Sequence, residues 1–133
     1  MIRALVITHG EIGRELVRVT EMILGPVEGL TAMSNHGKSA VTITDEIMEW
    51  LGSVPSGEHE SDQKLILLDD YGGSCATSAQ LACGGDPDAA IISGVNLAML
   101  LGFVTWRDTG DFPDLVAKTV QKGREAIVQV GAR

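Results

Sequence analysis

The sequence predicts an α/β fold, a three-layer doubly wound parallel sheet. Four short apolar runs, at residues 2–7, 27–33, 64–69 and 89–93, read as buried strands. Stretches of helical pattern separate them, and strands alternating with helices imply parallel βαβ units covered on both faces. Turn-forming clusters, "THG", "SNHG", "DYGGS" and "GGDPD", punctuate the transitions.

Each element follows from its local pattern. "IRALVI" (2–7) is a short apolar run closed by "THG". Residues 11–24 carry Ile12, Leu16, Val19 and Ile23 at helical spacing, and Gly25-Pro26 stops them. "VEGLTAM" (27–33) is a weaker strand. Residues 39–52 read as a helix with Ala40, Ile43, Ile47, Trp50 and Leu51 on one side, and 53–63 as a polar loop. "KLILLD" (64–69) is the clearest strand, followed by a helix at 75–83. After "AAIIS" (89–93), Asn96 is placed to cap a helix over 97–104. Asp111, Pro113 and Asp114 make a helix start for 112–122, which Gly123 ends. "EAIVQV" (125–130) is a helix extension or a last strand.

The 133 residues form one expected domain, 1–133, large enough to bury a core without disulfides or a structural metal. Net charge is −8, and no Lys/Arg cluster exceeds two neighbours, which argues against nucleic-acid binding. Aromatic residues are only 4%, too few for a base-stacking sheet. Cys75 and Cys83 form no CxxC pair, and a helix holds residues eight apart at about 12 Å, too far for a disulfide. No run reads as a signal peptide or approaches membrane-spanning length. A soluble, reduced, cytoplasmic protein is expected, with no metal and no cofactor.

In doubly wound sheets, sites form beyond the carboxyl ends of strands, where strand order reverses. His9 sits just past the first strand and Asp69 ends the third. In an order of 2-1-3-4 these strands are neighbours with diverging crossovers, so the two side chains share a crevice. A carboxylate that accepts one ring N–H fixes the tautomer and leaves the other nitrogen's lone pair outward. Gly10, Gly72 and Gly73 allow close backbone approach, Ser74 adds a hydroxyl, and first-turn N–H groups suit an anion. The set reads as a phosphate pocket around a nucleophilic His9. Cys75, near a helix start, is expected to be a small packed hydrophobe rather than a low-pKa thiol. His36 and His59 are expected to be solvated loop residues.

These residues resemble a family. "VITHG", "MILG", "LLDDYGGS", "IISGVNLAMLL" and "GREAI" occur in an order similar to that of the mannose-type enzyme IIA domain (mannose/fructose/sorbose family) of the bacterial phosphoenolpyruvate-dependent sugar phosphotransferase system. The resemblance implies that His9 accepts a phosphoryl group from the carrier protein HPr and passes it to a IIB component for sugar uptake. Asp69 would orient the ring, and Ser74 with its turn would contact phosphate. It also implies a 2-1-3-4 sheet and an antiparallel edge strand, "EAIVQV", exchanged in a homodimer. The sequence departs from the family pattern at Cys75, where proline is usual, at Ala76-Thr77, and at "NHGKS". No IIB-like segment follows, so a free-standing subunit is expected.

Other readings fit less well. "GKS" at 37–39 lacks the glycine a Walker A loop needs at position 32, which is Ala. "THGE" resembles the "RHGE" of histidine phosphatases, but Thr8 stands in place of the phosphate-clamping arginine. A receiver domain phosphorylated on Asp69 needs an acidic pair where this chain has "THG". The alternative of a different class is a regulatory phosphohistidine module that signals phosphotransferase flux without transport.

Overall fold

A computed structural model describes residues 1–53 and 63–131; His59 and most of the expected polar loop lie outside them. Four strands, β1 (Arg3–Thr8), β2 (Leu30–Ser34), β3 (Lys64–Leu68) and β4 (Ala89–Ser93), form one sheet in the order β2-β1-β3-β4, and every pairing is parallel. Five helices cover it: α1 (Ile12–Leu24), α2 (Ala40–Ser53), α3 (Ser74–Cys83), α4 (Leu97–Trp106) and α5 (Phe112–Glu125). This is the expected three-layer architecture. No helix among the described residues is long and apolar enough to cross a membrane.

The strands are apolar because both sheet faces are covered. Alternation then sorts them. Ala4, Val6, Leu65 and Leu67 pack with Val17 of α1 and with Met99, Leu100, Phe103, Phe112 and Leu115 of α4 and α5. Leu5, Ile7, Ile66 and Leu68 pack on the other side with Ile43 and Ile47 of α2 and Cys75, Ala76 and Ala79 of α3. Each fully buried Leu or Ile contributes about 1.5–3 kcal/mol, so the two central strands anchor the fold.

Both expected caps form. Asn96 Oδ1 accepts the Met99 N–H at 3.0 Å, and Asp111 Oδ1 accepts that of Asp114 at 2.9 Å. Several boundaries differ from the pattern. β2 begins at Leu30 because Gly29, at φ +77°, closes a turn first. Gly123 does not end α5: it is buried inside the helix against Met99, and the helix continues to Glu125. The α1 stripe is also displaced. Gly13, Val17 and Thr20 are the buried positions, while Ile12 and Ile23 are more than half exposed. Residues 127–130 belong to no strand within the single chain, and Ile127, Val128 and Val130 are exposed.

Candidate functional site

β1 and β3 are adjacent and in register through Ile7 and Leu68, so the next residues leave the sheet side by side at its carboxyl edge. His9 follows Thr8 at the end of β1, and Asp69 follows Leu68 at the end of β3. His9 Nδ1 lies 3.0 Å from Asp69 Oδ2, and the same oxygen accepts the His9 backbone N–H at 3.0 Å. A carboxylate can only accept, so Nδ1 carries the proton and Nε2 is left as the outward nitrogen. The His9 side chain is 56% exposed and that of Asp69 only 16%, which gives an accessible ring on a fixed support. Asp69 Oδ1 is buried without a hydrogen-bond partner among the described residues, the cost of directing both acceptor bonds through one oxygen.

The electrostatics follow the contacts. The hydrogen bond to Asp69, then its charge, raise the His9 pKa above the ordinary 6.5; slight burial opposes this and Asp70 adds to it. Burial pushes the Asp69 carboxyl upward, but the His9 amide, ring and charge outweigh it and leave the pKa below the ordinary 3.8.

The glycine-rich turn brings a second element to the ring. Gly73 is the N-cap of α3, and a Cβ built on it would lie 3.8 Å from His9 Cε1. The first turn of α3 therefore starts beside the imidazole, with Ser74 exposed at its first position. Gly10 follows His9 at φ +52°, a conformation glycine adopts without strain, with open space where a side chain would project. Gly72 donates its N–H to Asp70 Oδ1 at 3.4 Å, so Asp70 shapes the turn. The expected site residues His9, Gly10, Asp69, Gly72, Gly73 and Ser74 thus cluster at one end of the sheet.

Cys75 is 2% exposed in the core, and burial raises its thiol pKa despite the nearby helix start. Cys75 and Cys83 are both free thiols. His36 is exposed beyond β2, where its backbone N–H donates to Ser34 Oγ; its ring makes no hydrogen bond among the described residues. No group of three or more His, Cys, Asp or Glu among the described residues is placed to hold a metal ion. Sequence reasoning passed over Thr8 as more than a missing arginine. Its hydroxyl accepts the Gly13 N–H at 2.7 Å and donates to the His9 carbonyl at 3.2 Å. A buried hydroxyl next to a site residue, at the end of an otherwise apolar run, was the available signal.

Fold and site together define a small doubly wound α/β domain with a carboxylate-oriented histidine at the switch point between β1 and β3. Residues 3–120 match the EIIA-man family, described as the PTS system fructose IIA component, and the chain belongs to that family. The mannose-specific EIIAB component of the phosphotransferase system of Escherichia coli K12 is 30% identical over 128 residues, covering 95% of this chain. This chain spans only 38% of that relative's length. The EIIA component from Streptococcus agalactiae shares the fold at a TM-score of 0.85 and 23% identity, over 97% of each chain. The mannose/sorbose-specific IIA subunit from Enterococcus faecalis does so at 0.81 and 22%, over 98% of this chain and 96% of that one.

Proposed function

We propose that this chain is a single-domain phosphoryl carrier, in which His9 Nε2 accepts a phosphoryl group from phospho-HPr and passes it to a IIB component for sugar uptake. The observation that carries the reading is the His9–Asp69 pair, with Nδ1 held at 3.0 Å and the ring exposed. In the acceptance step the Nε2 lone pair attacks phosphorus in line. The donor's N–P bond breaks and the donor nitrogen keeps the electron pair. The His9 ring becomes a phosphorylated imidazolium, still donating Nδ1–H to Asp69, whose charge stabilises it. The α3 first-turn N–H groups and the Ser74 hydroxyl would meet the phosphoryl oxygens, so catalysis is mostly positioning and charge stabilisation. Onward transfer runs the same displacement in reverse, with the IIB acceptor as nucleophile. The domain acts in the cytoplasm as a homodimer, with residues 127–130 exchanged onto the partner's β4 edge; their exposed apolar side chains support that arrangement.

The test is incubation with enzyme I, HPr and phosphoenolpyruvate. An acid-labile phosphoprotein is expected, with phosphorus on Nε2 by NMR, and His9→Ala should not label. A His9→Ala chain that still labels overturns the assignment. Labelling followed by transfer to a IIB component supports uptake; labelling with no IIB transfer supports the regulatory alternative.

A further inference from the structure

Thr8 is fully buried at the end of β1. Strand alternation sends its side chain to the same sheet face as Val6, the face covered by α1. There the hydroxyl meets a helix start that lacks its usual cap, because Glu11, the N-cap residue of α1, makes no side-chain cap bond. A helix leaves its first N–H groups without intrahelical partners. Thr8 Oγ1 takes one of them, accepting from Gly13 at 2.7 Å, and spends its single proton on the His9 carbonyl at 3.2 Å. Gly13 makes this approach possible: an added Cβ would lie 3.0 Å from Thr8 Oγ1 and 3.3 Å from Val6 Cγ1.

His9 is thereby held at both ends of its main chain. Asp69 takes its N–H and Thr8 donates to its C=O. The Thr8 carbonyl in turn accepts the Asn35 N–H at 3.0 Å, tying the same peptide to the end of β2. We infer that the Thr8 hydroxyl is a positioning group for His9: it couples the first turn of α1 to the histidine backbone and so keeps Nδ1 on Asp69 and Nε2 facing outward. This deepens the phosphoryl-carrier reading and rests on it for its catalytic meaning. The placement of the ring is a separate, directly measurable claim.

The experiment compares Thr8→Val, Thr8→Ser and the unchanged full-length chain. Two readouts are taken: the His9 ring titration by NMR and the rate of phosphorylation from phospho-HPr. The charged groups acting on the ring, Asp69 and Asp70, are the same in all three. Thr8→Val is expected to bring the His9 pKa back toward 6.5 and to slow phosphorylation about tenfold to a hundredfold, the scale of a misplaced reacting atom. Thr8→Ser, which keeps the hydroxyl, is expected to retain the raised pKa and most of the rate. A Thr8→Val chain that melts earlier but keeps both readouts shows a merely structural threonine and overturns the inference. So does a Thr8→Ser chain that behaves like Thr8→Val. Should Thr8→Val fail to fold, Thr8→Ala, which avoids a methyl against the unpaired Gly13 N–H, is read by the same two criteria. If the unchanged chain is not phosphorylated at all, the carrier reading fails while the ring titration still decides the role of Thr8.

Discussion

Asp69 Oδ2 holds His9 twice, through Nδ1 and through the backbone N–H, each at 3.0 Å. One oxygen thus fixes both where the residue begins and which way its ring turns. Asp69→Asn keeps the shape and removes the charge. The His9 pKa should fall toward 6.5, because its two largest causes of elevation are lost or weakened. Phosphorylation from phospho-HPr should slow about a hundredfold, as expected when a reacting atom is held loosely. NMR titration and single-turnover labelling measure both.

The same pair sets a pH dependence. Only the neutral ring has a lone pair on Nε2, and the His9 pKa is raised, so acceptance should climb with pH through a value above 6.5. Stability behaves differently. The His9 contribution is full below 6.5 and fades as pH rises through the raised folded value. The Asp69 contribution is present above 3.8 and fades as pH falls through its lowered folded value. The pair therefore stabilises most between 3.8 and 6.5, below the range in which the neutral ring, and with it acceptance, becomes abundant. Urea titrations at several pH values, with Asp69→Asn as the reference, should show the difference between the two chains greatest in that interval.

Much of this site was legible because it is built where strands stop. "LVITHG" and "LILLDD" each announce a buried strand and the polar residue that follows it, and parallel register brings those two residues together. The glycine turn after Asp69 likewise marks the start of α3. The α1 face was not legible. Ile12, Leu16, Val19 and Ile23 are the most apolar stripe, yet of these only Leu16 packs against the core, and the buried positions are Gly13, Val17 and Thr20; at Gly13 the close approach of Thr8 and Val6 on β1 requires a small residue that hydropathy does not reward. Gly123 failed for the same reason. A glycine near a helix end reads as a stop, but this one is selected by the bulk of Met99 across the α4–α5 contact. The role of Thr8 needed coordinates, since nothing in a linear pattern says which N–H a buried hydroxyl will meet.

Gly123 offers a stability test of that packing. A Cβ there would lie 2.6 Å from Met99 Cγ and 2.7 Å from Sδ, and Met99 is only 3% exposed, so it has little space to move. Overpacking of a core costs about 1–3 kcal/mol, while replacing glycine by alanine inside a helix returns up to about 1 kcal/mol. Gly123→Ala should therefore be net destabilising by about 1–2 kcal/mol. It should also strain the Asn96 Nδ2 bond to the Gly123 carbonyl, now 3.2 Å, which ties the start of α4 to α5. Urea unfolding decides the sign; a stabilised variant would show that the two helices separate easily.

The exposed C-terminal segment allows the proposed assembly to be tested apart from the proposed carrier chemistry. Ile127, Val128 and Val130 are 82%, 68% and 91% exposed, and β4 is an edge strand of the sheet. An apolar segment beside an unpaired strand edge is an unfavourable arrangement for a chain on its own. Exchange with a second copy, as proposed above, would remove both exposures at once. His9 and Asp69 follow β1 and β3, the two central strands, so the pair should not depend on that exchange. Deleting residues 127–133 should convert a dimer to a monomer by light scattering while leaving the His9 titration raised. An intact chain that is monomeric at tens of micromolar, or a deletion that returns the ring to its ordinary pKa, would contradict this separation of assembly from site.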